Sequence, residues 1–65
     1  MKTHDEDNFR VGELVTRDGT DIHRVTKADE GYGSVEVVCV KAPATGWCKV
    51  GDVESNLGAR YQRVA

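Results

Sequence analysis

The sequence predicts an all-β domain of five short strands, and three observations lead there. Seven glycines in 65 residues punctuate the chain, at Gly12, Gly19, Gly31, Gly33, Gly46, Gly51 and Gly58. The stretches between them, residues 11–15, 22–25, 35–40, 47–50 and 61–64, are short and valine-rich. Asp18-Gly19 is a strong hairpin signal, because glycine enters positive φ freely and an aspartate bonds to nearby backbone. Strands that end wherever the chain must turn produce such a spacing.

Residues 1–8 are polar and acidic with no apolar anchor and are expected to form a disordered tail, leaving residues 9–65 as the single domain. In the first segment Phe9, Val11 and Val15 share one parity and Leu14 has the other. Gly12-Glu13 is therefore placed at a turn or bulge where the strand changes face. Thr16-Arg17 and Thr20-Asp21 flank Asp18-Gly19 as hairpin arms, the second continuing through Ile22, His23, Arg24 and Val25. Residues 28–33 read as a loop, with Tyr32 between two glycines. Ser34 to Lys41 is the strongest strand, but Val37-Val38 and Cys39-Val40 break its alternation. Either both faces are buried or a bulge shifts the parity. In so short a chain the bulge fits a strongly bent strand shared by two halves of a barrel.

Pro43 cannot donate to a ladder, so residues 42–46 form a connection and residues 47–50 return antiparallel. Gly51-Asp52 ends that strand. One short helical turn through Glu54, Asn56 and Leu57 follows, with Asp52 or Ser55 as its cap and Gly58 closing it. Residues 60–64 form the last strand, with Tyr61 inward.

That order is the plan of a small, strongly bent SH3-like barrel with one short helical turn before the last strand. Val11-Gly12-Glu13-Leu14-Val15 resembles the first strand of bacterial and phage SH3-like or KOW-like domains, where glycine and an acidic residue precede an inward valine. A KOW-like resemblance implies nucleic-acid or ribosomal contacts, and an SH3-like one implies Pro-rich ligands in an aromatic groove. The chain departs from the first by its missing basic cluster and from the second by lacking the acidic-aromatic loop pattern. The resemblance implies architecture more than activity.

Size and charge bound the function. A 65-residue chain lies near the lower limit for an autonomous core, so a protein partner or self-association would add burial. The expected core is Phe9, Val11, Leu14 or Val15, Ile22, Val25, Val35, Val37 or Val38, Val40, Trp47, Val50, Leu57, Tyr61 and Val64. Of nine Lys/Arg only Lys2, and of eleven Asp/Glu only Asp5, Glu6 and Asp7, precede Phe9, leaving eight of each from there on. A nucleic-acid binder driven by phosphate contacts carries a basic excess that this domain lacks. Arg10, Arg17, Arg24, Arg60 and Arg63 would have to gather on one face to supply it. No apolar run approaches a membrane span, and no basic-then-apolar order resembles a secretory signal, so a cytoplasmic protein is expected.

Candidate chemistry is sparse. Cys39 and Cys48 flank the expected hairpin loop one position out of register, and they read as packed thiols ahead of a disulfide or a metal pair. Zinc would need two more ligands, and only His4, in the tail, and His23 are available. His23, Asp21 and a Thr or Cys supply the residue types of a base, an orienter and a nucleophile, but a filled barrel leaves little volume for a substrate-enclosing cleft. His23 is therefore expected on the strand surface, and no enzyme activity, cofactor or metal is expected. Gly31-x-Gly33 lacks the lysine and helix of a phosphate loop. The aromatics give the best binding hypothesis: Tyr32 exposed, and Trp47 in a groove rimmed by Arg24, Lys41 and Lys49. The expected function is a small non-enzymatic protein-binding or assembly module, with a nucleic-acid-binding accessory domain as the alternative.

Overall fold

The computed structural model describes residues 9–29 and 31–64. The expected acidic tail, with His4, lies outside them, as do Glu30 and Ala65. The described chain forms one antiparallel sheet of five strands: β1 (Leu14–Thr16), β2 (Ile22–Asp29), β3 (Ser34–Lys41), β4 (Val53–Leu57) and β5 (Gln62–Arg63). A 3-10 turn over Gly58–Arg60 precedes β5. The strand order is β4-β3-β2-β1-β5.

That order overturns the SH3-like and KOW-like barrel. Closing the sheet would require β4 and β5 to share a ladder, and they lie at opposite edges. The 3-10 turn instead carries the chain back to the far side of the sheet. There β5 pairs Gln62 with Thr16 and Arg63 with Val15, and two residues are too few to bend round and close a barrel. The all-β class, the five strands and the helical turn before the last strand stand. The sheet is open.

Two elements are also displaced. Residues 47–50 are turn and bend rather than strand. Asp52 accepts the Lys49 N–H on its carboxylate at 3.0 Å, and its own N–H donates to the Lys49 carbonyl at 3.0 Å. With Gly51 at φ 96°, this knots the segment into a tight turn. Pairing with β3 begins only at Gly51 N–H to Cys39 O, 2.8 Å. The fourth strand therefore occupies Val53–Leu57, where the sequence reading places a helical turn.

The broken alternation of β3 is resolved by bulges. Val35, Val37 and Cys39 point inward and are buried, while Val38 is half-buried and Val40 exposed. Register shifts fall between Ile22 and His23 and between Val25 and Lys27. At the second, the Thr26 hydroxyl donates to Glu36 O at 3.1 Å and to its Oε2 at 2.8 Å, tying down the extra residue.

Phe9, Val15, Val25, Val35, Val37 and Tyr61 form the apolar core. Each fully buried valine contributes roughly 1.5–3 kcal/mol. Several expected core members are instead exposed: Val11, Leu14, Val40, Trp47, Val50, Leu57 and Val64. A single-layer sheet has one inner face, and these residues lie on the other face or in the loops. Among the described residues no helix is long and apolar enough to cross a membrane.

Candidate functional site

At one end of the sheet the inner face turns polar. Asp21, just before β2, and His23, within it, have the parity of Val25, so all three point inward, and each is at most 1 % exposed. Asp21 is the hub of the turn between β1 and β2. It accepts the Thr16 hydroxyl at 2.6 Å and the backbone N–H groups of Arg17 and Asp18 at 3.1 Å each, and it meets His23 Nε2 at 2.5 Å. Burial opposes its ionisation, but the hydrogen bonds from Thr16, Asp18, His23 and Arg17 outweigh that and hold its carboxyl well below the usual range. An ionised Asp21 only accepts, so His23 Nε2 carries a proton. Nδ1 of His23 is buried with no hydrogen-bond partner among the described residues.

Around this pair the aromatic and charged groups form a column. Trp47 stacks on His23 with ring centroids 5.7 Å apart, and Tyr61 meets its edge at 6.1 Å. The Arg17 guanidinium lies 4.7 Å over the outer face of Trp47, and the Trp47 indole N–H donates to Asp18 at 3.1 Å. Arg17 also pairs with Glu54 at 3.4 Å. The Tyr61 hydroxyl donates to Glu54 at 2.7 Å and accepts from Asn56 at 3.3 Å. Burial and the neighbouring Glu54 push the Tyr61 hydroxyl up to about 12, against the lowering effect of Asn56.

Two thiols complete the cluster. Cys39 is buried on β3, and half-buried Cys48 arrives on the β3–β4 connection, with their Sγ atoms 3.7 Å apart and unbridged. A ring nitrogen of His23 and both Sγ atoms lie within 4.8 Å of one another. Burial, with Cys39 alongside, pushes the Cys48 thiol up to about 12. It is a protonated thiol at neutral pH, the opposite of an activated nucleophile. A cavity of about 240 Å³ opens beside the cluster, lined by His23, Trp47, Cys48, Asp52, Val53 and Glu54. A wider hollow of about 640 Å³ lies at the other end of the β2–β3 hairpin, against Lys27, Asp29, Val35 and Ser55.

The expected binding residues are dispersed. Tyr32 is 83 % exposed at the tip of the β2–β3 hairpin, the end remote from Trp47. Arg24 lies exposed on the outer face of β2, opposite Leu14 and Val38. Lys49 is exposed in the turn before β4. Only Trp47 joins the cluster, where it covers His23. The expectation of a surface His23 is corrected, because it is buried behind that indole. Among the arginines, Arg17 is committed to Glu54 and Arg63 to Glu13 at 2.6 Å.

No protein-family model, curated protein or solved structure matches the chain. The residues themselves must carry any functional reading.

Proposed function

We propose that this chain is a small non-enzymatic assembly module that pairs with a second copy of itself through the free edge of β4. The observation that carries this reading is the self-complementarity of that edge. β4 ends the sheet, and its sequence Val53-Glu54-Ser55-Asn56-Leu57 alternates, with Val53 61 % and Leu57 54 % exposed on one face. An antiparallel two-fold pairing centred on Ser55 sets Val53 opposite Leu57, Glu54 opposite Asn56, and Ser55 opposite its own copy. No like charges meet, and two apolar cross-strand pairs form, each contributing roughly 0.2–1 kcal/mol.

The outer face supports the same reading. Leu14, Arg24, Val38 and Val53 lie in one register row across four strands. Pairing at β4 extends that row into Leu57 of the second copy. The edge carries none of the lysines, prolines or bulges that usually protect a free strand. The lowered acidity of the Cys48 thiol and the burial of Cys39 favour a binding role over nucleophilic catalysis. A reducing, cytoplasmic compartment belongs to the same proposal, and its support is the pair of unbridged thiols.

Sedimentation equilibrium across protein concentration tests the reading. The mass is expected to rise from 7.1 kDa towards twice that value. The double variant Val53→Lys, Leu57→Lys places ammonium groups opposite each other at two points and is expected to remain monomeric with unchanged circular dichroism. A wild-type chain that stays monomeric throughout, or a double variant that associates equally well, would overturn it.

A further inference from the structure

We propose that His23, Cys39 and Cys48 form a binding site for one thiophilic divalent cation, of which Zn²⁺ is the physiological example. The proposal rests on the inner end of the sheet and is independent of pairing at β4. Three features of the site point to a metal rather than to ordinary core packing.

The first is the ligand set. Two thiols and one imidazole nitrogen lie within 4.8 Å of one another, brought from β2, β3 and the β3–β4 connection. Cysteine sulfur and histidine nitrogen are the donors that Zn²⁺ prefers. Two thiolates also balance a divalent charge, so the filled site is neutral and its burial costs little in charge desolvation.

The second is spacing. Tetrahedral coordination with Zn–S bonds of about 2.3 Å separates two sulfur ligands by about 3.8 Å. The Sγ atoms of Cys39 and Cys48 stand 3.7 Å apart. A disulfide requires about 2.05 Å; the two thiols instead make an S–H···S contact whose length matches that of two ligands on one ion, so binding needs no separation of the sulfurs. A tetrahedral ion separates its nitrogen and sulfur ligands by about 3.6 Å, so the imidazole, within 4.8 Å of both sulfurs, needs to close by about 1.2 Å at most.

The third is the orphaned nitrogen. A buried imidazole atom with no partner is costly, and His23 Nδ1 is such an atom among the described residues, on a side chain 1 % exposed. Asp21 receives Nε2–H, which leaves the Nδ1 lone pair free to coordinate. A carboxylate that orients a metal-bound histidine through its second nitrogen is the usual outer support of such sites. Asp21 is thus a positioning residue and not a ligand. The fourth position faces the cavity of about 240 Å³ and is open to water, because Glu54 is held by Tyr61 and Arg17 and Asp52 by the Lys49 N–H. Coordination displaces the two thiol protons to solvent.

Titration of the reduced, metal-stripped full chain with Co²⁺ tests the proposal. One equivalent is expected to produce thiolate-to-cobalt charge transfer and the intense visible bands of a tetrahedral ion, and Zn²⁺ is expected to abolish both. Zn²⁺ should also protect both cysteines from alkylation. Nitrogen NMR of the imidazole should show Nδ1, and not Nε2, shifting on binding. Cys48→Ser, at a half-buried position, should weaken binding at least 100-fold, and Asp21→Asn should weaken it by about 10- to 100-fold. Where a variant does not fold, the alkylation and NMR readouts on the wild-type chain decide. Cysteines alkylated equally fast with and without Zn²⁺, cobalt bands absent, bands retained in a folded Cys48→Ser variant, or a shift at Nε2 would overturn the assignment.

Discussion

Replacing Asp21 tests whether the polar end of the core holds the fold or merely decorates it. Asp21 accepts from the Thr16 hydroxyl, from two backbone N–H groups and from His23 Nε2 while 1 % exposed. Asp21→Ala removes all of these acceptors at once. Arg17 and Asp18 are exposed residues, so water can reach their freed N–H groups and recover part of the loss. Thr16 and above all His23 cannot be rescued so easily. A buried polar group left without a partner costs about 1–3 kcal/mol, and bonds to a charged acceptor are each worth about 1.5–3 kcal/mol. Allowing for the recovered backbone donors, Asp21→Ala should cost about 3–5 kcal/mol. A chain of this length has a total stability of roughly 3–10 kcal/mol, so the variant should be largely unfolded or close to it.

Asp21→Asn separates shape from charge. Its amide oxygen can occupy the place of Oδ1, which accepts from Thr16, Arg17 and Asp18. Its NH₂ would then face His23 Nε2 and force the imidazole proton onto Nδ1. The expected cost at neutral pH is about 1–2 kcal/mol. The folded carboxyl of Asp21 is lowered, so the stability it brings is present above its unfolded value near pH 4 and is lost as pH falls from there. The gap between the wild type and Asp21→Asn should therefore narrow in acid. Urea denaturation followed by Trp47 fluorescence at neutral and acid pH measures all three proteins. An alanine variant within about 0.5 kcal/mol of the wild type would refute the reasoning, as would a gap that widens in acid.

Two further substitutions probe the frame around that cluster. Tyr61→Phe deletes the donor to Glu54 and the acceptor for Asn56 and should cost about 1–2 kcal/mol in denaturant melts. Because the hydroxyl is raised to about 12, wild-type stability should also fall as pH rises from about 10 through about 12, a loss the phenylalanine variant should lack. Gly19→Ala tests the β1–β2 turn: its φ is +92° and an added Cβ would meet nothing within 4 Å, so the cost is backbone strain alone, about 1–2 kcal/mol in thermal melts.

Much of the sheet was legible because it depends on local patterns. Ser34–Lys41 is the strand expected from its β-branched run, and Gly19 takes the positive φ that Asp18-Gly19 implied. Closure was not legible, because it depends on where the last few residues dock. Nothing in Gln62-Arg63 reveals that they pair with β1 and leave β4 as an edge. The exchange of turn and strand across residues 47–57 has a similar origin. Trp47 and Val50 look like strand residues by propensity, but the Lys49–Asp52 bonds and the positive φ of Gly51 commit them to a turn.

The buried histidine was readable and missed. Asp21, His23 and Val25 share one parity, as do Val35, Val37 and Cys39. The expected core took Ile22 with Val25 and left Val37 or Val38 open; choosing the parity of Val25 and Val37 alone would have put His23 and Cys39 inside as well. Treating histidine as a surface residue overrode that pattern. Cys48 is different: the expected hairpin set it within one position of Cys39, but it reaches the cluster on a connection shaped by Gly46 at φ 74° and the turn at Gly51 rather than on a strand.

A core of six apolar residues among those described, with an Asp-His pair filling its end, is thin for an autonomous domain, and chains of this size commonly add a metal, a cross-link or a partner. The two proposals made for this chain answer the same deficit at different places, the inner end of the sheet and the free edge of β4. They are separable by linkage. A bound ion stabilises each chain by an amount set by free Zn²⁺ and indifferent to protein concentration, whereas pairing makes the melting temperature rise with protein concentration whether or not metal is present. Melts over a grid of Zn²⁺ and protein concentrations should show two independent gradients. Cys48→Ser should flatten only the first, and Val53→Lys with Leu57→Lys only the second. A grid in which either variant flattens both would mean that the ion and the edge are coupled, and that the two proposals are not independent.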